Sequence, residues 1–159
     1  YGLFKATNTT VTIDTLNNSG TYESDPSINY FQDLINYGTI KGGAGDAFHI
    51  GASFMNYGIL DTNLADLFFG SGSHISWIGD AGSRFHFDAL FLPFNALLDL
   101  EWRGAYRHVN TLHVNSLSQI TGLEDLSYNN LVPTPEPGSL LLLGFGLMGL
   151  AGVRRKIQE

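Results

Sequence analysis

A short motif returns at nearly constant spacing through the first sixty residues, and it restricts the fold more than any other feature. Leu16-Asn-Asn-Ser-Gly-Thr-Tyr22 aligns with Leu34-Ile-Asn-Tyr-Gly-Thr-Ile40 and with Phe54-Met-Asn-Tyr-Gly-Ile-Leu60, so a glycine recurs at 20, 38 and 58, at intervals of 18 and 20 residues. Upstream of each copy lies another apolar residue: Ile13, Phe31 and Ile50. Units this short cannot bury an apolar face alone and must stack on their neighbours. With Asn-x-Gly at a fixed point of every unit, the expected fold is all-β, a right-handed parallel β-helix or solenoid with one copy per coil.

In that arrangement Asn18, Asn36 and Asn56 stack as a ladder, each side-chain amide bonding the next coil's. Gly20, Gly38 and Gly58 would supply a corner with φ > 0. Leu16, Leu34 and Phe54 would stack inside, as would Tyr22, Ile40 and Leu60. The alternative is a set of unrelated β-turns in a sandwich, since Asn-x-Gly also arises by chance. Residues 11–60 resemble the repeat coils of filamentous-haemagglutinin-like adhesins, which often read Asn-x-Gly-Thr-Ile.

Beyond residue 60 the repeat blurs. Gly70-Ser-Gly-Ser73 reads as a loop. Phe85–Phe91 and Leu98–Arg103 alternate with period two, which puts Phe85, Phe87, Leu98, Leu100 and Trp102 on buried faces. Pro93 between them fits a turn or an edge, and Val109 to Ile120 holds one or two further strands. Residues 61–130 are therefore expected to continue the solenoid as irregular coils. Nineteen Gly, eleven Phe and only 14% charged residues agree with β structure rich in turns. With no cysteine, neither a disulfide framework nor a thiolate metal site can form.

The far end of the chain is of another kind. Pro133, Pro135 and Pro137 forbid a helix interior, so this stretch is extended and accessible. Ser139 can cap a helix starting at Leu140, and Glu136 lies near the positive end of that helix. Leu140–Val153 has no charged residue, and its four glycines suit a membrane helix better than a helix in water. Sixteen residues from Gly138 to Val153, at about 1.5 Å each, span roughly 24 Å of a hydrocarbon core of about 30 Å. Arg154, Arg155 and Lys156 can reach the interface and, by their charge, belong on the cytoplasmic side. A buried C-terminal helix of a soluble domain is the alternative, but an all-round apolar segment with a basic end is unusual there.

Pro135-Glu136-Pro137, the apolar segment and the basic cluster together resemble the PEP-CTERM sorting domain of Gram-negative bacteria. Gly138 departs from the Ser, Thr or Ala usual after the motif. The resemblance implies recognition by an exosortase, a membrane-embedded, cysteine-protease-like processing enzyme. It also implies transient retention in the inner membrane, delivery to the cell surface or extracellular matrix, and exopolysaccharide as a candidate partner. Pro135, Glu136, Pro137 and the basic residues are then substrate features read by another protein. The expected organisation is a passenger domain over 1–130, a Pro-rich linker with the motif over 131–139, and a transmembrane helix with basic tail over 140–159. Because the chain opens on Tyr1 with no leader, it is expected to continue upstream, the solenoid being partial and N-terminally truncated.

Candidate chemistry in the body is sparse. Residues 1–138 hold fourteen acidic groups against five basic ones, a formal −9, which disfavours nucleic acid as a partner. Gly42-Gly-Ala-Gly-Asp46 resembles half of a calcium-binding nonapeptide turn, lacks a second copy, and reads as a plain glycine turn. The five histidines show no zinc-ligand spacing. His86 and Asp88 share a strand face, as do Asp99, Glu101 and Arg103, and either set could line a polysaccharide groove. Tyr37 and Tyr57 could stack on sugar rings or on each other. The expected function is a non-enzymatic structural or adhesive surface protein needing no cofactor and no metal. The alternative is a secreted polysaccharide-acting lyase or hydrolase on the same scaffold.

Overall fold

Among the described residues every strand pairing is parallel, and partners lie 18 to 25 positions apart in the chain. The computed structural model describes residues 2–62, 64–79, 84–102 and 106–134. They form a parallel β-solenoid of about six turns. Its strands are β1 (Leu3–Thr7), β2 (Thr10–Asn18), β3 (Thr21–Asp25), β4 (Ile28–Asn36), β5 (Thr39–Lys41), β6 (Ala47–Asn56) and β7 (Ile59–Asp61). After these come β8 (Asp66–Phe69), β9 (His74–Gly79), β10 (Arg84–Leu92), β11 (Leu97–Trp102), β12 (Tyr106–Val114), β13 (Ile120–Thr121) and β14 (Ser127–Pro133).

The strands stack in three columns. The first runs β1, β3, β5 and β7, then the start of β10, β12 and β14. The second takes the first halves of β2, β4 and β6, then β8 and the ends of β10, β12 and β14. The third takes the second halves of β2, β4 and β6, then β9, β11 and β13. Thus β2, β4 and β6 each serve two columns. From the fourth turn those columns are built from separate strands.

Alternation of side chains across each strand decides what is inside. Tyr22, Ile40, Leu60 and Phe85 form one internal stack, Phe87 and Val109 pair farther along β10 and β12, and all are buried. Leu34, Phe54, Trp77 and Leu100 form another. Trp77, wholly enclosed, stacks on Phe54 at 4.8 Å and lies 4.2 Å from the Phe85 ring centroid. Burying an aromatic of this size is worth about 2–3 kcal/mol. Phe85, Phe87, Leu98 and Leu100 are buried as their alternation predicts. Leu16 and Ile13 are only partly buried, because they belong to the outermost described coil.

The coil length changes in the loops between strands and at one shift inside the β4–β6 pair. Thr21 pairs with Thr39 and Thr10 with Ile28, both 18 positions on. Between Lys41 and Ala47 lie five residues where Glu23 and Ile28 enclose four, and a register shift follows between Phe31 and Asp33. Those two single-residue additions turn the interval of 18 into 20. Further along, seven residues separate Phe69 from Trp77 where three separate Ile50 from Phe54. The Gly70–Ser73 loop therefore leaves the strands around it in register.

Candidate functional site

Among the described residues, two outward ladders, one groove and the exit of the chain from the last coil are open to a partner, and a buried asparagine ladder braces the coils behind them. The asparagine ladder lies at the end of the third column. Asn18 Nδ2 donates to Asn36 Oδ1 at 2.8 Å, and Asn36 Nδ2 to Asn56 Oδ1 at 2.6 Å. The same amides donate to Thr39 O at 3.0 Å and to Ile59 O at 3.2 Å, so each rung also fastens the coil beyond it. All three asparagines are buried. The ladder ends at Asn56, whose partner position in the next coil is Gly79.

Gly20, Gly38 and Gly58 do not take the left-handed backbone expected of them. Positive-φ glycines among the described residues are Gly45, Gly72 and Gly122. What these three need is space: a Cβ on Gly20, Gly38 or Gly58 would overlap the carbonyl oxygen of Gly2, Gly20 or Gly38 respectively. Their carbonyls also accept the next coil's amide, as in Thr39 N to Gly20 O and Ile59 N to Gly38 O, both 2.9 Å.

A second ladder lies outside the second column. Tyr30, His49, Phe68, Phe91 and His113 stack with centroids 4.5, 4.6, 4.4 and 4.2 Å apart and planes within 18°. Burial holds His49 below the usual imidazole range. This column escaped sequence reasoning, yet a signal exists: each ring immediately precedes an inward apolar residue, as Tyr30-Phe31, His49-Ile50, Phe68-Phe69, Phe91-Leu92 and His113-Val114. A groove of about 340 Å³ runs beside the stack, between its rings and the row Gln32, Gly51 and Gly70.

The third ladder, also outward, belongs to the first column and is polar. Lys5 Nζ meets Glu23 Oε1 at 2.6 Å, which holds the Glu23 carboxyl below and the Lys5 ammonium above their usual ranges. Lower down, Asp88 Oδ1 accepts from Asn110 Nδ2 at 2.8 Å. Asn110 Oδ1 lies 3.2 Å from His108 Nε2, and His108 Nδ1 lies 3.1 Å from Ser127 Oγ. His86 sits beside His108, its ring held below the usual imidazole range first by burial and then by the neighbouring imidazole. His86 and Asp88 thus meet in a lattice that links successive coils. Tyr37 and Tyr57 stack on each other at 5.1 Å.

Asp46 is the buried carboxylate of the Gly42–Asp46 turn. Its Oδ1 accepts from the Ser27 amide at 2.7 Å and from the Ser24 hydroxyl, and its Oδ2 from the Gly43 amide at 2.7 Å. These donors fix the turn and occupy the oxygens that a calcium ion would need. Tyr22 closes the network through Asn29 Oδ1 at 2.5 Å, and its phenol is pushed up to about 12 by burial and then by Asp46. Among the described residues no group of His, Asp or Glu is arranged to hold a metal ion.

Asp99 lies in β11 beside Ser76 and Thr121, and Glu101 is exposed farther along it. Arg103 and the side chain of Trp102 lie outside the described residues. So do Pro135, Glu136 and Pro137, the basic Arg154, Arg155 and Lys156, and the expected membrane helix. Among the described residues no helix is long and apolar enough to cross a membrane. The last strand leads straight to this segment: Pro133 pairs with Val114, and Thr134 N donates to Val114 O at 2.8 Å.

Residues 133–156 match the family model of the PEP-CTERM protein-sorting motif. The chain carries a PEP-CTERM sorting motif. That motif is a recognition signal for exosortase processing and marks an exported, envelope-associated protein. Neither the curated proteins nor the solved structures yield a match to this chain.

Proposed function

We propose that this is a structural or adhesive protein of the cell surface or extracellular matrix, in which a PEP-CTERM tag delivers a non-enzymatic β-solenoid. The observation that carries the reading is how the body uses its polar and outward side chains. The asparagine ladder, the five-ring stack and the Asp88–Asn110–His108–Ser127 lattice all bond coil to coil. Chemistry spent laterally in this way stiffens a rod. Side chains already bonded to the next coil are poorly placed for general acid–base catalysis, which needs them aimed at a reacting atom.

In this reading the apolar segment 140–153 holds the chain in the inner membrane, with Arg154, Arg155 and Lys156 on the cytoplasmic side. The exosortase reads Pro135-Glu136-Pro137, and the body then reaches the surface, where exopolysaccharide is its candidate partner. Replacing Pro135, Glu136 and Pro137 by alanine should leave a full-length form in the inner membrane fraction. Appearance of the shorter surface form at the wild-type rate would refute the sorting role of these residues.

A further inference from the structure

The sorting motif and the solenoid share residues. The family match begins at Pro133, which is the last residue of β14 and sits in register with Val114 of β12. The ladder continues one residue farther, through Thr134 N to Val114 O at 2.8 Å. No spacer therefore separates the last backbone bond of the body from Pro135. A partner that takes up an extended segment needs its backbone edges, and here the first residues of that segment are already paired.

β14 is also the strand least anchored by apolar burial. Among the described residues it pairs with β12 alone. Ser127 and residues 129–133 are exposed, including Leu131 and Val132, and only Tyr128 packs partly against the core. Its side-chain bonds, from Ser127 to His108, from Asn129 to Asn110 and from Asn130 to the Asn110 carbonyl, lie at the surface, where water can replace them. Strands of this kind open first in local unfolding.

We propose that β14 is released from β12 when the processing enzyme engages the motif, so that the segment this partner captures includes the last strand of the solenoid. The inference rests on the exosortase reading of the motif. Pairing of β14 and capture of the motif compete for Pro133 and Thr134. The apparent affinity of the enzyme is then its intrinsic affinity reduced by the fraction of chains with β14 detached.

The chain has no cysteine, so one designed disulfide can lock the strand without ambiguity. Thr111 and Asn130 are in-register partners on β12 and β14, and neighbouring strands about 4.8 Å apart fall within disulfide reach. Full-length Thr111→Cys/Asn130→Cys and the wild type would be followed side by side by pulse–chase in exosortase-bearing cells, with oxidant or reductant added outside the cytoplasm. The control is Asn17→Cys/Ile35→Cys, which ties β2 to β4 far from the exit. We expect oxidation to slow conversion of the β14-locked chain by about tenfold or more, reductant to restore it, and the control to convert as wild type. Wild-type conversion of the oxidised, locked chain would overturn the proposal, as would equal slowing of the control. Failure of the wild type itself to be converted would instead refute the sorting reading.

Discussion

The coils from Leu3 to Asp61 and those from Asp66 to Pro133 belong to one continuous set of columns, yet they are held together differently. In the first group the corners are spare: Asn-x-Gly closes each coil, buried amides bond the rungs, and glycine carbonyls lie where no Cβ fits. In the second the corners swell, with Ile59 pairing to Arg84 at 25 positions and Arg84 to Tyr106 at 22. Cohesion there comes from Trp77, Phe85 and Phe87 inside and from short bridges between loops. Gln119 Nε2, for example, donates to Pro93 O at 2.9 Å and to Ala96 O at 2.8 Å. A solenoid can therefore change how it turns a corner while its strands stay paired, with one register shift between Phe31 and Asp33, because each coil contacts only its neighbours.

If the first group depends on bare backbone at its corners, the largest effect should come from filling one. In Gly38→Ala the new methyl meets the Gly20 carbonyl oxygen, which is backbone and cannot swing aside. The first coils would have to part or shift, at an expected cost of about 3–5 kcal/mol. Gly43→Ala is the natural comparison, since nothing lies within 4 Å of its Cβ. It should change stability by no more than about 0.5 kcal/mol. Urea unfolding of the two variants followed by circular dichroism measures both. Equal stabilities would mean that the glycine column is incidental.

That contrast also explains how much of the fold is legible in the amino acids. Where corners are short the period is nearly constant, so the repeat alone places Leu34, Ile40, Phe54 and Leu60 inside and aligns the asparagines. What the repeat could not reveal was why glycine follows each asparagine. Both a left-handed turn and a close backbone approach demand Gly, and only the stacked coils distinguish them. Past residue 60, insertions such as Gly70–Ser73 break the period while leaving the stacking intact. Alternation still identified Phe85, Phe87, Leu98 and Leu100 as interior. The outward ring stack from Tyr30 to His113 was hidden because its members lie 19, 19, 23 and 22 positions apart. The β14 exit was hidden because proline suggested a linker, whereas an outer strand accepts it.

The ladder gives an intermediate effect. Asn36 is the central rung, bonded to Asn18 on one side and Asn56 on the other, with no exposure to solvent. Asn36→Ala leaves polar atoms of both neighbours facing a dry gap and should cost about 2–4 kcal/mol. Asn18→Ala removes an end rung that has 8% exposure and one ladder partner. About 1–2 kcal/mol is expected there. A ratio near one between the two losses, measured by thermal unfolding, would show that the rungs act independently and form no network.

The smallest effect should come from the second group's corners, and it is the sharpest test of the difference between the two. Ser71 and Gly72 are exposed, Gly72 has open space around it, and its φ of +69° marks a turn already free of neighbouring coils. Two residues inserted between them would disturb the Ser73 Oγ bond to Gly70 O at 2.5 Å and the long Ser71 contact to Phe94 O at 3.4 Å. Lengthening a loop by so little costs under about 1 kcal/mol. The same insertion between Ser19 and Gly20 displaces Gly20 from its seat between Gly2 and Gly38 and breaks the Asn18 Oδ1 acceptance of the Gly20 amide at 3.2 Å. A loss several-fold larger is expected at that corner. Equal tolerance at the two sites in denaturant titrations would mean that corner length is unconstrained throughout, and that the constant period of the first coils reflects their ancestry and not their packing.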